Sequence, residues 1–285
     1  MQNIIGVGSA GVNIAMSFSQ YPQYVVYTVD SEESGAPRHY QMPTYETHEE
    51  YERKTPKMRD FFKDIDAGED TLYVVGGGGA ISGASLAILE QLKHTKIRLL
   101  YIRPDTSLLS ETGCLRERVV FNVFQEYARS GKFEEIILVD NVGLDDIVGG
   151  APVLGYFNKL NEILVSSIHM INVLDHTDAV MSTGSKPREI SRIVTIGVID
   201  VEEKEEKLFF PLTNVREKSY YYAINNEVLK TDESLYKQIT EQIKEKSAGD
   251  DIKISYGIYP SEYKQNYGYL IARSSFIQSV NHKEE

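Results

Sequence analysis

The 285-residue chain holds one cysteine, Cys114, and no tryptophan. A single thiol closes no internal disulfide, which fits a reducing, cytoplasmic setting. Basic residues are also scarce: 30 Lys and Arg against 42 Asp and Glu give a net charge of −12. Nucleic-acid binding irrespective of sequence needs a basic surface that displaces counterions, so direct nucleic-acid contact is not expected. No apolar run approaches the ~20 residues of a membrane span. The start, MQNIIGVGSAG, has neither the basic flank nor the long apolar stretch of a secretory signal. These absences predict a soluble cytoplasmic protein with no membrane partner. Internal repeats and low-complexity linkers are missing too, and only the closing NHKEE reads as a tail.

Glycine, by contrast, is concentrated where it matters. Residues 72–85, LYVVGGGGAISGAS, read as a buried strand, four consecutive glycines and the start of a helix over 86–93. Glycines at a strand end let a ligand approach the backbone, and the following helix offers free N–H groups to an anion. A tight turn alone needs only one glycine. Residues 6–15, GVGSAGVNIA, repeat the theme between a strand over 3–7 and a helix over 12–19. Gly6, Gly8 and Gly11 satisfy G-x-G-x-x-G, and the strand over 24–29 ends in Asp30. A carboxylate there often holds a ribose hydroxyl, so a Rossmann oxidoreductase is one reading and a plain strand-ending turn another.

The rest of the first half alternates. A helix is expected within 47–65, broken or begun near Pro56, with Phe61, Phe62 and Ile65 as its buried stripe. Strands over 96–102 and 135–139 flank a helix over 115–130. Such alternation predicts a parallel sheet covered by helices. From 155 to about 181 runs the longest helical pattern, apolar around much of its circumference, with Gly184 and Pro187 as its stops. Beyond it the pattern changes to a hairpin over 190–212 with a charged tip and a strand over 219–225. A helix over 232–247 follows, with Asp232 as N-cap, then strands over 252–259 and 267–276.

Two glycine loops, a long central helix and a closing α+β block in this order resemble the tubulin/FtsZ superfamily. The family's first loop, GVGGGGGNA, is matched at Gly6, Gly8, Gly11 and Asn13. Its GGGTGTGAA is matched by 77–85, GGGAISGAS, with Ser82 for threonine and Ile81 where glycine is usual. Its F-x-x-x-N-[DE]-x-L is met by Phe157, Asn161, Glu162 and Leu164. Residues 256–276 resemble the family's closing hairpin. The resemblance covers most of 1–184 and 216–276.

It implies an α/β fold: a Rossmann-like nucleotide-binding domain over 1–154, the central helix and its loop over 155–184, and a reduced α+β domain over 185–285. It also implies GTP or GDP as ligand and leaves magnesium open. The phosphates would be cradled by Gly8, Ser9, Ala10, Gly11, Gly77, Gly78 and Gly79, with Ala80 and Ser82 beside them. Phe157 would stack on the base and Asn161 bond its edge, with Asn13 and Asn141 as further polar contacts. From the residues alone, Phe157 reads as core and Asn161 as surface.

Three departures accompany the resemblance. Residues 40–49, YQMPTYETHE, lack the glycine-rich segment that senses the terminal phosphate. Hydrolysis in the family needs acids after the long helix, which complete a neighbour's site. An ungapped alignment puts the acid-free 182–188 (STGSKPR) there and is slightly preferred, whereas a gapped one offers Asp175 and Asp178. On this resemblance the hairpin over 190–212 stands in place of the helices that build the family's longitudinal contact, and the trimmed chain is more like the short plasmid and phage members than a division FtsZ. One functional reading is a self-assembling, guanine-nucleotide-binding filament protein that positions DNA or phage particles, with a DNA adaptor as partner. The other is a degenerate module that binds a partner, such as a host cytoskeletal protein, without polymerising.

Overall fold

The computed structural model describes residues 2–150, 152–247 and 252–279. The expected tail at 281–285 lies outside them. The chain forms two compact units, 1–165 together with 277–285, and 166–276, so the division falls inside the long helix.

The first unit contains β1 (Gln2–Val7), α1 (Gly8–Phe18), β2 (Tyr24–Asp30), β3 (His39–Gln41), α2 (His48–Lys54) and β4 (Asp70–Gly76). A 3₁₀ turn (Ala80–Ala84), α3 (Ser85–Gln91), β5 (Lys96–Arg103), α4 (Glu111–Arg129), β6 (Glu135–Asp140), α5 (Asn141–Val148) and the start of α6 (Tyr156–Asp175) follow. Its strands lie in the order β3-β2-β1-β4-β5-β6, and every pairing is parallel. All of β1, and β4 from Thr71 to Val75, are buried. Because successive side chains point to opposite faces, this sheet is covered on both sides.

The path leaves β1 in one direction for β2 and β3, then returns past it to β4, β5 and β6. In open parallel sheets, ligands sit outside the carboxyl ends of the strands at such a switch point. Both glycine loops leave the sheet there.

One local expectation changes. The helix expected within 47–65 is only His48–Lys54, capped by the Thr47 hydroxyl accepting from the Glu50 N–H at 3.2 Å. It stops before Pro56, and Phe62 and Ile65 are buried from turns instead. The last described segment packs back onto this unit. Gln125 donates to the Gln278 carbonyl at 3.2 Å and accepts from the Gln278 N–H at 2.7 Å.

The second unit holds the end of α6, then β7 (Met181–Ser182), β8 (Ile193–Ile199), β9 (Glu206–Leu208), β10 (Glu217–Asn225), α7 (Asn226–Thr231), α8 (Leu235–Ser247), β11 (Lys253–Ser261) and β12 (Tyr267–Ser274). Its order is β8-β12-β10-β11-β7, with β9 on β8. The expected hairpin between β11 and β12 does not form. β10 lies between them, parallel to β11 and antiparallel to β12. A βαβ crossover through α7 and α8 joins β10 to β11, and parallel neighbours require such a connection.

The long helix ends at Asp175, six residues before its expected end at 181, and neither Gly184 nor Pro187 stops it. The N–H groups of His176 and Thr177 bond back three residues, and the Thr177 hydroxyl takes the Val173 carbonyl at 2.8 Å. These contacts satisfy carbonyls at the helix end. The chain then pairs with β11, Val180 N–H donating to Ile258 O at 2.8 Å. Residues 182–188, favoured by the ungapped alignment, therefore do not directly follow the helix; His176 to Val180 do.

Candidate functional site

The site is built where β1 becomes α1 and β4 becomes the 3₁₀ turn. Gly8 opens α1 with φ of +69°, a conformation that side chains with a Cβ resist. One turn on, a Cβ at Gly11 would lie 2.5 Å from the Val74 carbonyl oxygen, so α1 packs directly on β4. Ser9 and Ala10 face outward in the first turn. Ser9 donates to Asp30 Oδ2 at 3.3 Å, tying the loop to the end of β2.

At the second loop, a side chain on Gly77 would overlap the Tyr101 hydroxyl. Gly78 and Gly79 differ. Cβ atoms on them would meet nothing closer than 3.5 Å and 3.7 Å, which is ordinary contact. Ser82 closes the loop by donating to the Gly79 carbonyl at 2.7 Å.

Between the loops lies a cleft of about 240 Å³ lined by glycine backbone, small side chains and apolar ones. Gly8, Ser9, Ala10, Gly77, Gly78, Gly79 and Asn141 border it, as do Val7, Gly76, Ile81, Ile102 and Pro104, which sequence reasoning did not assign to the site. No ionisable side chain is among them. Ile81, at the position where the resemblance leads one to expect glycine, reaches across: its Cγ2 would lie 2.6 Å from a Cβ on Gly8. Gly11, Asn13, Ala80, Ser82, Phe157 and Asn161 are not part of this lining. Asn13 is exposed on α1. Phe157 is 63% exposed, edge-on to Tyr156 at 5.2 Å, and Asn161 follows it by four residues on the same side of α6.

Behind the cleft sits a buried charge network. Arg103, at the end of β5, places its Nη1 3.2 Å from Asp140 Oδ2 and its Nε 3.4 Å from Glu117 Oε1. Asp140 caps α5 by accepting from the Val142 N–H at 3.0 Å, and Tyr101 donates to Glu117 at 3.1 Å. Burial pushes both carboxyls above the ordinary range, while Arg103 pulls them back. Burial, then the Glu117 charge, holds the Tyr101 phenol well above its usual value. The only sequence signal for this network was the strand-ending Asp140 before a helix, the position of an N-cap.

Asp175 and Asp178 belong to the second unit and are exposed. The Tyr221 hydroxyl bonds to Asp175, and burial together with that carboxylate pushes the phenol's pKa up. Among the described residues no group of three or more His, Cys, Asp or Glu is placed to hold a metal ion, and no helix is long and apolar enough to cross a membrane.

By sequence, neither a protein-family model nor a curated protein matches the chain. Solved structures do. A GTPγS-form protofilament of TubZ from Bacillus thuringiensis serovar israelensis aligns over 94% of this chain and 86% of its own, at TM-score 0.72 and 14% identity. The chain has the tubulin/FtsZ fold. A GTPγS-bound protofilament of CetZ2 from Haloferax volcanii matches 95% of this chain and 92% of its own, at TM-score 0.72 and 13% identity. An empty FtsZ dimer from M. jannaschii matches 96% and 88%, at 0.63 and 13%. At these identities the shared property is the tubulin/FtsZ fold itself. Within that fold Asp30 bonds Ser9, and the oxidoreductase reading drawn from it gains no further support.

Proposed function

We propose that this chain binds a guanine nucleotide in the cleft at the ends of β1 and β4, and self-associates into filaments. The observation that carries the reading is the pair Gly78 and Gly79. Neither packing nor backbone geometry requires glycine there, so the missing side chains leave room for a ligand against the backbone. The cleft's lack of cations suits phosphates held by N–H groups at the α1 terminus and the second loop. Phe157 offers an exposed ring for a base and Asn161 an amide for its edge. The TubZ and CetZ2 relatives are GTPγS forms assembled as protofilaments, which supports both the ligand class and assembly.

In cells such filaments would position DNA or phage particles in the cytoplasm through a DNA-binding adaptor. Asp175 and Asp178 of one subunit would position and deprotonate water beside the terminal phosphate held by the next. Unchanged GTP turnover in the Asp175→Ala, Asp178→Ala double variant rejects that role. A bound magnesium ion would neutralise phosphate charge. A second reading, a non-hydrolysing module that captures a partner such as a host cytoskeletal protein, is favoured by one contact: Asp175 is already engaged by Tyr221.

The test is identification of nucleotide released from purified protein, then GTP and GDP titration of the emptied chain. Bound guanine nucleotide is expected, weakened about tenfold or more by Phe157→Ala, since base stacking is worth ~1–3 kcal/mol. No binding at millimolar GTP overturns the proposal. Sedimentation with GTP separates the filament reading from the partner-binding one.

A further inference from the structure

Arg103 is largely buried and does not line the cleft, yet it contacts a supporting residue of each wall. On one side it pairs with Glu117, which also accepts the Tyr101 hydroxyl and whose Cγ would lie 3.3 Å from a Cβ on Gly77. Tyr101 fills the space behind that glycine, and the Gly77 N–H donates to the Ile102 carbonyl at 3.0 Å. On the other side it pairs with Asp140, whose second oxygen caps α5 and so fixes Asn141 at the cleft edge.

We infer that Arg103 is a positioning residue that couples the Gly77 loop to the Asn141 wall, so that the two walls hold their spacing as one. One planar guanidinium reaches both carboxylates, hydrogen-bonding Asp140 through Nη1 and ion-pairing with Glu117 through Nε, a span that the point charge of a lysine ammonium does not reproduce. Each carboxylate also uses its remaining capacity locally, Glu117 toward Tyr101 and Asp140 toward the Val142 N–H. Loss of the cation leaves two acids facing each other across the base of the cleft, with Asp105 adding to the repulsion on Asp140. Both walls are then released together.

The coupling itself stands on these contacts; its consequence for nucleotide rests on the function proposed above. The experiment is hydrogen–deuterium exchange of the ligand-free full chain, read over 76–82, over 141–146 and, as control, over 24–30. Arg103→Met should speed exchange tenfold or more in both wall segments and leave the control unchanged. Glu117→Gln should loosen only the first segment and Asp140→Asn only the second. The coupling is overturned if Arg103→Met loosens one wall, neither, or all three segments alike. Should Arg103→Met fail to fold, the two carboxamide variants decide: absence of their wall-specific effects overturns it equally. In parallel, GDP affinity should fall at least tenfold in Arg103→Met. Wild-type protein that binds no GDP would reject the nucleotide reading, while the exchange data would still judge the coupling.

Discussion

The Tyr101 hydroxyl occupies the space a side chain on Gly77 would need. Gly77 is therefore fixed by packing, whereas its neighbour Gly78 has room for a methyl group. Gly77→Ala should cost about 1–3 kcal/mol by overpacking, measured by urea unfolding. Gly78→Ala should change stability by less than about 0.5 kcal/mol and still weaken GDP binding. Equal stability losses in the two variants would contradict this division of roles.

Gln125 holds the Gln278 backbone through both its N–H and its C=O, and both residues are buried. Gln125→Leu removes two bonds from buried backbone and should cost about 2 kcal/mol or more. Exchange in 277–279 should rise with it. A variant as stable as wild type would show that this segment contributes nothing.

Five tyrosines, Tyr73, Tyr101, Tyr220, Tyr221 and Tyr222, have phenols pushed above the ordinary value, burial being the leading cause in each. A group whose pKa is raised on folding contributes its full stability below its unfolded pKa and loses it as pH climbs. The phenols' contribution to stability should thus be level up to about pH 10, the free phenol pKa, and fall above it. Absorbance at 295 nm should show these five ionising only as the circular dichroism of the fold collapses. A complete phenolate signal from a chain still folded would refute the assignment.

Tyr221 anchors Asp175 at the end of α6. Because Asp175 is exposed, Tyr221→Phe should cost only about 1 kcal/mol. If Asp175 acts on nucleotide in a neighbouring subunit, the same change should alter GTP turnover while leaving GDP affinity as it was. Turnover equal to wild type would place Asp175 outside the reaction.

What could be read in advance was what neighbours in sequence decide. Strand, glycines and helix follow one another directly at both loops, so the sheet and the loops of the cleft could be anticipated. The end of α6 could not, because partners distant in sequence set it: Val180 and Met181 pair with Ile258 on β11. The expected β11–β12 hairpin failed for a similar reason, since a strand some thirty residues earlier, β10, inserts between them. Ile102 and Pro104 reach the cleft only because β5 ends beside β4. Arg103, Glu117 and Asp140 come from three separate elements, and no spacing in the sequence links them.

The absence of any ionisable side chain from the cleft's lining predicts a particular response to ionic strength. Sites that grip phosphates with lysine and arginine lose affinity as salt screens the attraction. For the proposed nucleotide, backbone donors at short range would do the holding, while the chain's net charge of −12 would repel an anion from afar. Added salt screens that repulsion more than the contact itself, so a bound anion should survive high-salt washing, and its capture should quicken as salt rises.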